Sequence, residues 1–582
     1  MKDMKTTSHD VYVYGGFLFL VTFLLALINF DSFFWSDDFW LMSYALHEHP
    51  FQYWFTRREN FNGYWPYLKI HFSQPDALYY WYFRPVTTLS FKLDLLLAGG
   101  ISSVLMHISQ AVWAGLASVA FWLGIRRIAS VRVAAVAALL FAVLPLHAEV
   151  HSWISARSGI LSLLFVMLAL WAAGAYRLPT IPRVLLTALF TMLAVLSKSD
   201  AAMVVLWLGA GALIYYKRDA FAARSWAYAA LVSGIVVAAT LLCAKVVFAP
   251  SASFRIESMH LVGLHHPLFV FLYLSNLAKN LLLLNLWMPA IPGYIPLPVS
   301  IAAILGIPAV WLLAIKKLEM GRVGLAMLAL MILPMIPLSL VPAEERLLFF
   351  SSAAYCVLMA LLLVALAKRW PVLARPRLWI PALVLLSLFS LYHHYVAGSH
   401  GRLTFQSAQA IVDGCGPFEP NERVYVPNAI WPVAFLNKAV VLRNHGKPVD
   451  IMRFALDMTA VPHQADVPET YTWFLCMMDT WKCNPPYDIR HRLYYTEKGL
   501  RLELKSPGFF TSLLENFVGF AAKFQNTTGE LYHEEGAFRV SAYDLNPLGY
   551  PQTLLVDFEE PDPAICVREG MTYKRLPLPT AP

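Results

Sequence analysis

Charge is what this 582-residue chain has least of: 14% of its residues are Asp, Glu, Lys or Arg, against about 25% in soluble globular proteins. Together with 58% hydrophobic residues and a mean hydropathy of +0.55, that scarcity excludes a soluble enzyme and reads as a polytopic membrane protein. Cysteine is sparse, six in all, and no spacing among them suggests zinc. There is no tandem repeat and no low-complexity tract, which excludes solenoid and linker-like architectures. The net charge is +8, but the basic residues are dispersed over short loops. No basic stripe lies on a soluble domain, so no nucleic-acid partner is expected. No small-residue cleavage site follows the first apolar run, which Lys2 and Lys5 precede; it reads as an uncleaved anchor.

What is present is a series of apolar segments of about 20 residues, the length that spans a bilayer. They fall at 12–33, 103–124, 134–150, 159–176, 184–196, 201–216, 228–248, 298–315, 324–341, 348–367 and 380–396. The intervening loops alternate in charge. Arg126, Arg127 and Arg132, then Arg177 and Arg183, Lys217 and Arg218, Lys316 and Lys317, and the basic run 368–377 all fall on the side of the N-terminus. By the positive-inside rule that side is cytoplasmic, and about eleven spans put the C-terminal region outside. Four cysteines, Cys415, Cys476, Cys483 and Cys566, lie there. An even number fits disulfides, in any of three pairings, or free thiols. The apolar segment 268–288 would invert the later charge pattern if it crossed. Asn276, Lys279, Asn280 and Asn285 within it are poor lipid-facing residues, so it is expected to be interfacial or re-entrant on the outer side. Residues 1–400 are thus expected as a transmembrane domain, with 34–100 as a first outer loop of interfacial helices. From about residue 401 alternating runs such as RVYVPN, VVLRN, LRLELK, FRVSAYDL and TLLVDFE predict strands. Residues 401–582 therefore read as a soluble α+β domain.

The chain is organised around FFWSDDFW at 33–40, where Asp37 and Asp38 stand among aromatics at the end of the first span. Aromatics there form an interfacial belt, but two acids at that depth need a further reason. The outer ends of later spans carry more polar groups: His147, Glu149, His151 and Arg157; then Lys198 in SKSD; then Glu344, Glu345 and Arg346. The first loop adds Arg57, Arg58, Lys69, Arg84 and Lys92. These pairs can pin helix ends, as Glu149 with Arg157 or Glu345 with Arg346. They can also build an anion site at the outer face. Glycosyl transfer from a lipid-phosphate sugar uses this set. A carboxylate takes the proton of the attacking acceptor hydroxyl, and cations stabilise the departing phosphate. Direct displacement of this kind inverts the anomeric centre. No cofactor is expected; adjacent acids can hold a divalent cation, but no third ligand stands out.

The same stretches resemble a known family. YFRPVTTLSF from Tyr82, LPLHAEVHSWISARSG from Leu144, VLSKSDAAM from Val195 and EERLLFFSS from Glu344 are similar, in order, to motifs of TMTC-type O-mannosyltransferases. SDDFW occupies the place of that family's first-loop acids. Those enzymes belong to the GT-C superfamily, with the protein O-mannosyltransferases and the lipid A aminoarabinose transferase. The resemblance implies a GT-C fold of about eleven helices and a polyprenyl-phosphate-linked sugar donor. It implies Asp37 as base with Asp38 orienting the acceptor or loop, and Arg346, Arg84 and Lys198 on the donor phosphate. His147, Glu149, Arg157 and Glu345 would shape the sugar and acceptor pocket. Gly159, Ser199, Leu144 and Phe349 depart from the family pattern, and the C-terminal region does not resemble its tetratricopeptide repeats. A protein or glycan acceptor and a bacterial inner membrane, with the C-terminal domain periplasmic, complete the expectation. The readings of other classes are a lipid-linked-sugar flippase and a non-catalytic sugar-lipid-binding scaffold. A flippase would place ionisable residues at mid-membrane.

Overall fold

Capped apolar helices give way to strands in the last third of the chain. The computed structural model describes residues 8–34, 84–216, 218–248, 269–287, 295–339, 345–419, 422–430, 443, 449–457, 492–495, 499–503, 528–534, 538–545, 551–559, 563–569 and 572–576. Asp37, Asp38 and the rest of 35–83, with Cys476 and Cys483, lie outside these residues.

The helices are α1 (Ser8–Leu27), α2 (Pro85–Ala98), α3 (Ser103–Ile125), α4 (Val131–Ala142), α5 (Ala148–Ser152), α6 (Arg157–Ala173), α7 (Thr180–Ser197), α8 (Val204–Tyr215) and α9 (Ala220–Phe248). After them come α10 (Phe269–Leu286), α11 (Leu297–Lys317), α12 (Gly321–Ile332), α13 (Met335–Leu338), α14 (Phe349–Arg369), α15 (Pro376–Ala397) and α16 (Ser399–Cys415). Local chemistry sets several boundaries. Ser102 Oγ accepts from the Leu105 amide to cap α3, and Ser130 Oγ from Val133 to cap α4. Pro85 opens α2, and Gly99, at φ +66°, closes it in the left-handed conformation.

Among the described residues eight helices are long and apolar enough to cross a membrane. A ninth span is the pair Val131–Ala142 and Pro145–Ser152, bent by 56°. Pro145 causes the break, because it cannot donate into the ladder of α4. Tyr12–Leu27 and Ser199–Tyr215 are shorter apolar helices; counted as spans they bring the total to the about eleven expected. The protein is a polytopic α-helical membrane protein. Its buried core runs through the facing sides of α3, α4, α6 and α14.

The two ends of the bundle differ. At one end the basic loops meet: Tyr215 OH donates to the Arg127 carbonyl at 2.7 Å, and the Arg322 guanidinium lies over Tyr216. At the other end lie the C-termini of α1, α7 and α15 and the N-termini of α6 and α14.

The segment expected to be re-entrant is α10, and its polar residues face protein. Asn276 Nδ2 donates to the Ser339 carbonyl and Asn280 Nδ2 to Ser339 Oγ, both at 3.3 Å. Ser275 Oγ accepts from the Ile295 amide at 2.8 Å, while Asn285 Oδ1 accepts from Trp311 Nε1 at 3.0 Å. From Ser275 to Asn285 the helix descends about 15 Å, and α11 descends similarly from Ser300 to Trp311. The two helices therefore run side by side in the same direction.

Beyond α16 the chain forms two sheets. The strands are β1 (Glu422–Ile430), β2 (Val449–Asp457), β3 (Arg492–Tyr495), β4 (Gly499–Glu503), β5 (Gly529–Glu534), β6 (Phe538–Leu545), β7 (Pro551–Phe558), β8 (Ala564–Glu569) and β9 (Thr572–Leu576). One sheet has the order β2-β1-β8-β9, with β1 parallel to β2 and β8; the other is antiparallel, β3-β4-β7-β6-β5. Tyr425 of β1 joins them, its ring 5.5 Å from Phe538 and 4.7 Å from Phe558. Of VVLRN, expected as a strand, the described residue is Arg443, and it is helical. Its side chain packs on α16, donating to Gln409 at 2.7 Å and covering Phe405. Cys415 at the end of α16 is bonded to Cys566 of β8, across 151 residues.

Candidate functional site

The expected site residues that are described gather at the end of the bundle opposite the basic loops. Each comes from a different helix end, where polar side chains escape the hydrocarbon cost.

Arg84 precedes α2 and donates from Nη1 to Ser158 Oγ at 3.1 Å. Thr87, one turn on, donates to the Ser197 carbonyl at 3.0 Å, which sets the start of α2 against the end of α7. The next residue is Lys198, whose Nζ meets Asp200 at 2.5 Å. Arg84 and Lys198 thus flank one corner, both half-buried.

His147 sits in the break of the bent span. Its ring lies 4.3 Å from Phe141 and 4.8 Å from Phe349. Phe349 stands where the resembled family has tyrosine and here forms a wall against the imidazole. Ser352 Oγ donates to the Phe349 carbonyl and lies 2.8 Å from His147 Nε2. A hydroxyl with its one proton committed must accept, which assigns Nε2–H to His147. Nδ1 is then a buried acceptor without a partner.

A second histidine pair adjoins it. His151 Nδ1 and His394 Nε2 are 2.8 Å apart, and His394 Nδ1 is 2.7 Å from the Ser390 carbonyl. That carbonyl can only accept, so His394 carries its proton on Nδ1. His151 then donates from Nδ1 and turns Nε2 outward from the pair. The His147 and His151 rings are 5.8 Å apart. Sequence reading did not assign His394 to the site. A signal existed: two adjacent histidines at the end of the last span opposite the basic loops, in LYHHYVAG.

Arg157 is placed differently from its expected partner Glu149. Its guanidinium is fully enclosed and pairs with Asp94 of α2 at 2.5 Å. Nε donates to Gln110 Oε1, Nη1 also reaches Ser90 Oγ, and Nη2 donates to the Met106 carbonyl. Phe91 lies beneath it. Gln110 in turn donates to the carbonyls of Val150 and Trp153. Arg157 therefore ties α2, α3 and the bent span together. Glu149 is half-buried nearby on α5. Glu345 and Arg346 open the 3-10 turn Glu345–Leu348 just ahead of α14.

No family model matches the chain, and no curated protein matches it in sequence. Among solved structures it is similar to ArnT from Cupriavidus metallidurans in the apo state, at 13% identity and a TM-score of 0.45, over 81% of this chain and 91% of that one. The same enzyme bound to undecaprenyl phosphate aligns at 13% identity and 0.41, over 78% and 87%. An apo oligosaccharyltransferase from Archaeoglobus fulgidus aligns at 13% identity and 0.41, over 93% and 80%.

Proposed function

We propose that this protein is a membrane glycosyltransferase of the GT-C type, moving a sugar from a polyprenyl-phosphate-linked donor to an acceptor hydroxyl. The observation that carries the reading is the gathering of Arg84, Lys198, His147 and the His151–His394 pair at one end of the bundle. The chain leaves for 35–83, which holds Asp37 and Asp38, at Phe34 of that same end and returns at Arg84. Cations for a phosphate and neutral imidazole nitrogens that can accept from sugar hydroxyls are thereby collected at the end from which the segment carrying the acids departs.

Asp37 is the base. It takes the proton of the acceptor hydroxyl while that oxygen bonds to the anomeric carbon. The bond from that carbon to the phosphate oxygen breaks, and the polyprenyl phosphate leaves with the electron pair. The configuration inverts because attack and departure are on opposite faces. Arg84, Lys198 and Arg346 compensate the phosphate charge that grows as the bond breaks. Lys198 has three donors, so the bond to Asp200 leaves it able to bridge to an anion. His147, Glu149 and Glu345 contact sugar or acceptor, and Asp38 orients the acceptor or loop. Arg157 fixes the floor on which they stand. The acceptor is a protein or glycan hydroxyl on the periplasmic face of a bacterial inner membrane, with the C-terminal domain on that side.

Purified protein incubated with radiolabelled polyprenyl-phosphate sugars and membrane extract tests this. Wild type should transfer label, and Asp37→Asn should lose at least ~10²-fold, the usual contribution of a general base. Equal transfer by the two proteins removes Asp37 from the role. The 56° break in the fourth helix favours a second reading, a lipid-linked-sugar transporter, since broken helices also line transport paths. Movement of labelled lipid across proteoliposomes with no transfer product would select it.

A further inference from the structure

Three of the last residues described before Asp37, Asp31, Ser32 and Phe33, are held by residues some 370 positions further along the chain. Ser32 Oγ donates to the Gly398 carbonyl at 2.9 Å, across 366 residues. Arg402 Nη1 meets Asp31 at 3.3 Å and its guanidinium lies over Tyr395. The rings of Phe33 and Phe405 pack edge to face at 5.5 Å. The turn after α1 is thus seated in the junction between α15 and α16.

Two glycines make that seating possible. A Cβ at Gly401 would stand 2.1 Å from Ser32 Oγ and 2.2 Å from the Phe33 carbonyl oxygen, so any other residue would push the backbone of 32–33 away. A Cβ at Gly398 would stand 2.0 Å from Asn29 Oδ1 and 3.2 Å from Arg402 Nη1, its nearest neighbours being side-chain atoms. The first contact displaces main chain; the second displaces the Asn29 side chain and tightens against that of Arg402.

The joint also holds spare hydrogen-bonding capacity. Both amide atoms of Asn29 are buried and unpaired, and so are both ring nitrogens of His107 on α3. Buried polar groups left unpaired are costly, and proteins retain few of them.

Helix α16 carries the joint outward. Its far end is bonded through Cys415 to Cys566, and Arg575 of β9 bonds both the Cys415 carbonyl and Glu422.

We propose that Gly398 and Gly401 are positioning residues. They fix the turn at 29–34, so that the seating of the C-terminal domain, transmitted along α16, sets the alignment of the chain leading to Asp37. This rests on Asp37 being the base of the transfer reaction. Among the described residues, the contacts given for the joint do not include Arg84 or Lys198, so it acts on the chemical step and leaves donor binding alone.

The test uses the full chain in detergent with two independent readouts. Hydrogen exchange of peptides covering 27–34 reports the joint without any reference to catalysis. Transfer kinetics report kcat and donor KM separately. Gly401→Ala should accelerate exchange at 27–34 at least ~10-fold and lower kcat by a similar factor, with donor KM within ~2-fold. Gly398→Ala should do so more weakly, and Asn29→Ala combined with it should restore both readouts, because the obstructing amide is gone. Gly306→Ala, on α11 with open space around it, is the control. If Gly401→Ala fails to fold, the Gly398–Asn29 pair carries the test. Exchange and kcat at wild-type values in Gly398→Ala, or a double variant no better than the single one, overturn the proposal. If wild type transfers no sugar, the catalytic reading fails. A changed exchange rate then shows the joint acting on 29–34, and an unchanged one overturns the joint as well.

Discussion

Arg157 shows how far a residue's neighbours in sequence can mislead. Glu149 lies eight positions away and invites pairing, yet the guanidinium spends its donors on Asp94, Gln110, Ser90 and the Met106 carbonyl. A buried charge needs several partners at once, and these come from two other helices. Removing it by Arg157→Ala leaves Asp94 buried and uncompensated, which typically costs about 3–5 kcal/mol. Arg157→Lys keeps the charge but a single ammonium cannot reach four acceptors in that fork geometry. Thermal unfolding in detergent should rank wild type above Lys and Lys above Ala. An Ala variant as stable as wild type would mean that Asp94 is already compensated without Arg157. The same reasoning explains what was legible here. That Arg157 and His147 belong to a polar cluster could be read from their place at span ends. That one is a structural tie and the other a wall residue with an unpaired Nδ1 could not, because Asp94, Ser352 and Phe349 are distant in sequence.

At the scale of elements the chain was more legible. Apolar length found the spans, since hydrocarbon thickness fixes how many residues are needed. Charge in the loops then sorted their ends. Segment 268–288 was the hard case: its asparagines were legible as facing protein, and they pair with Ser339 and Trp311, as polar groups at that depth must. The break at Pro145 was less legible, because a proline near a span end equally well marks a simple helix stop. If α10 is re-entrant, single cysteines replacing Val270 and Leu297, both exposed, should react with an impermeant maleimide from the same side. A cysteine at Arg218, among the basic loops, should react only from the other. Cys243, Cys356, Cys476 and Cys483 would first be changed to Ala to clear the background. Labelling of 270 and 297 from opposite sides would make α10 a true span and invert every helix after it.

At the scale of the whole molecule, the sequence separates two architectures but does not say how they are joined. Strand runs such as FRVSAYDL announce themselves by alternation, whereas the mixed β2-β1-β8-β9 order depends on a final hairpin returning beside β1. That return brings Cys566 to Cys415 and makes α16 the link between sheets and membrane helices. Because the bond closes a separation of 151 residues, its loss should release much chain entropy, on the order of 2–5 kcal/mol for such disulfides. Cys415→Ser should therefore unfold the C-terminal region at lower temperature, with proteolysis there preceding any cut in the helical bundle. The bundle's own core does not include the disulfide, so its helical circular dichroism should persist to the wild-type temperature. The informative readout lies between the two parts. If α16 transmits the seating of the sheets to Ser32 and Phe33, hydrogen exchange at 27–34 should rise in Cys415→Ser although the mutated residue is far along the chain from that turn. Faster exchange beyond Gly416 with an unchanged turn would mean that α16 is anchored by the bundle alone, and that the C-terminal domain rides on the membrane domain without steering it.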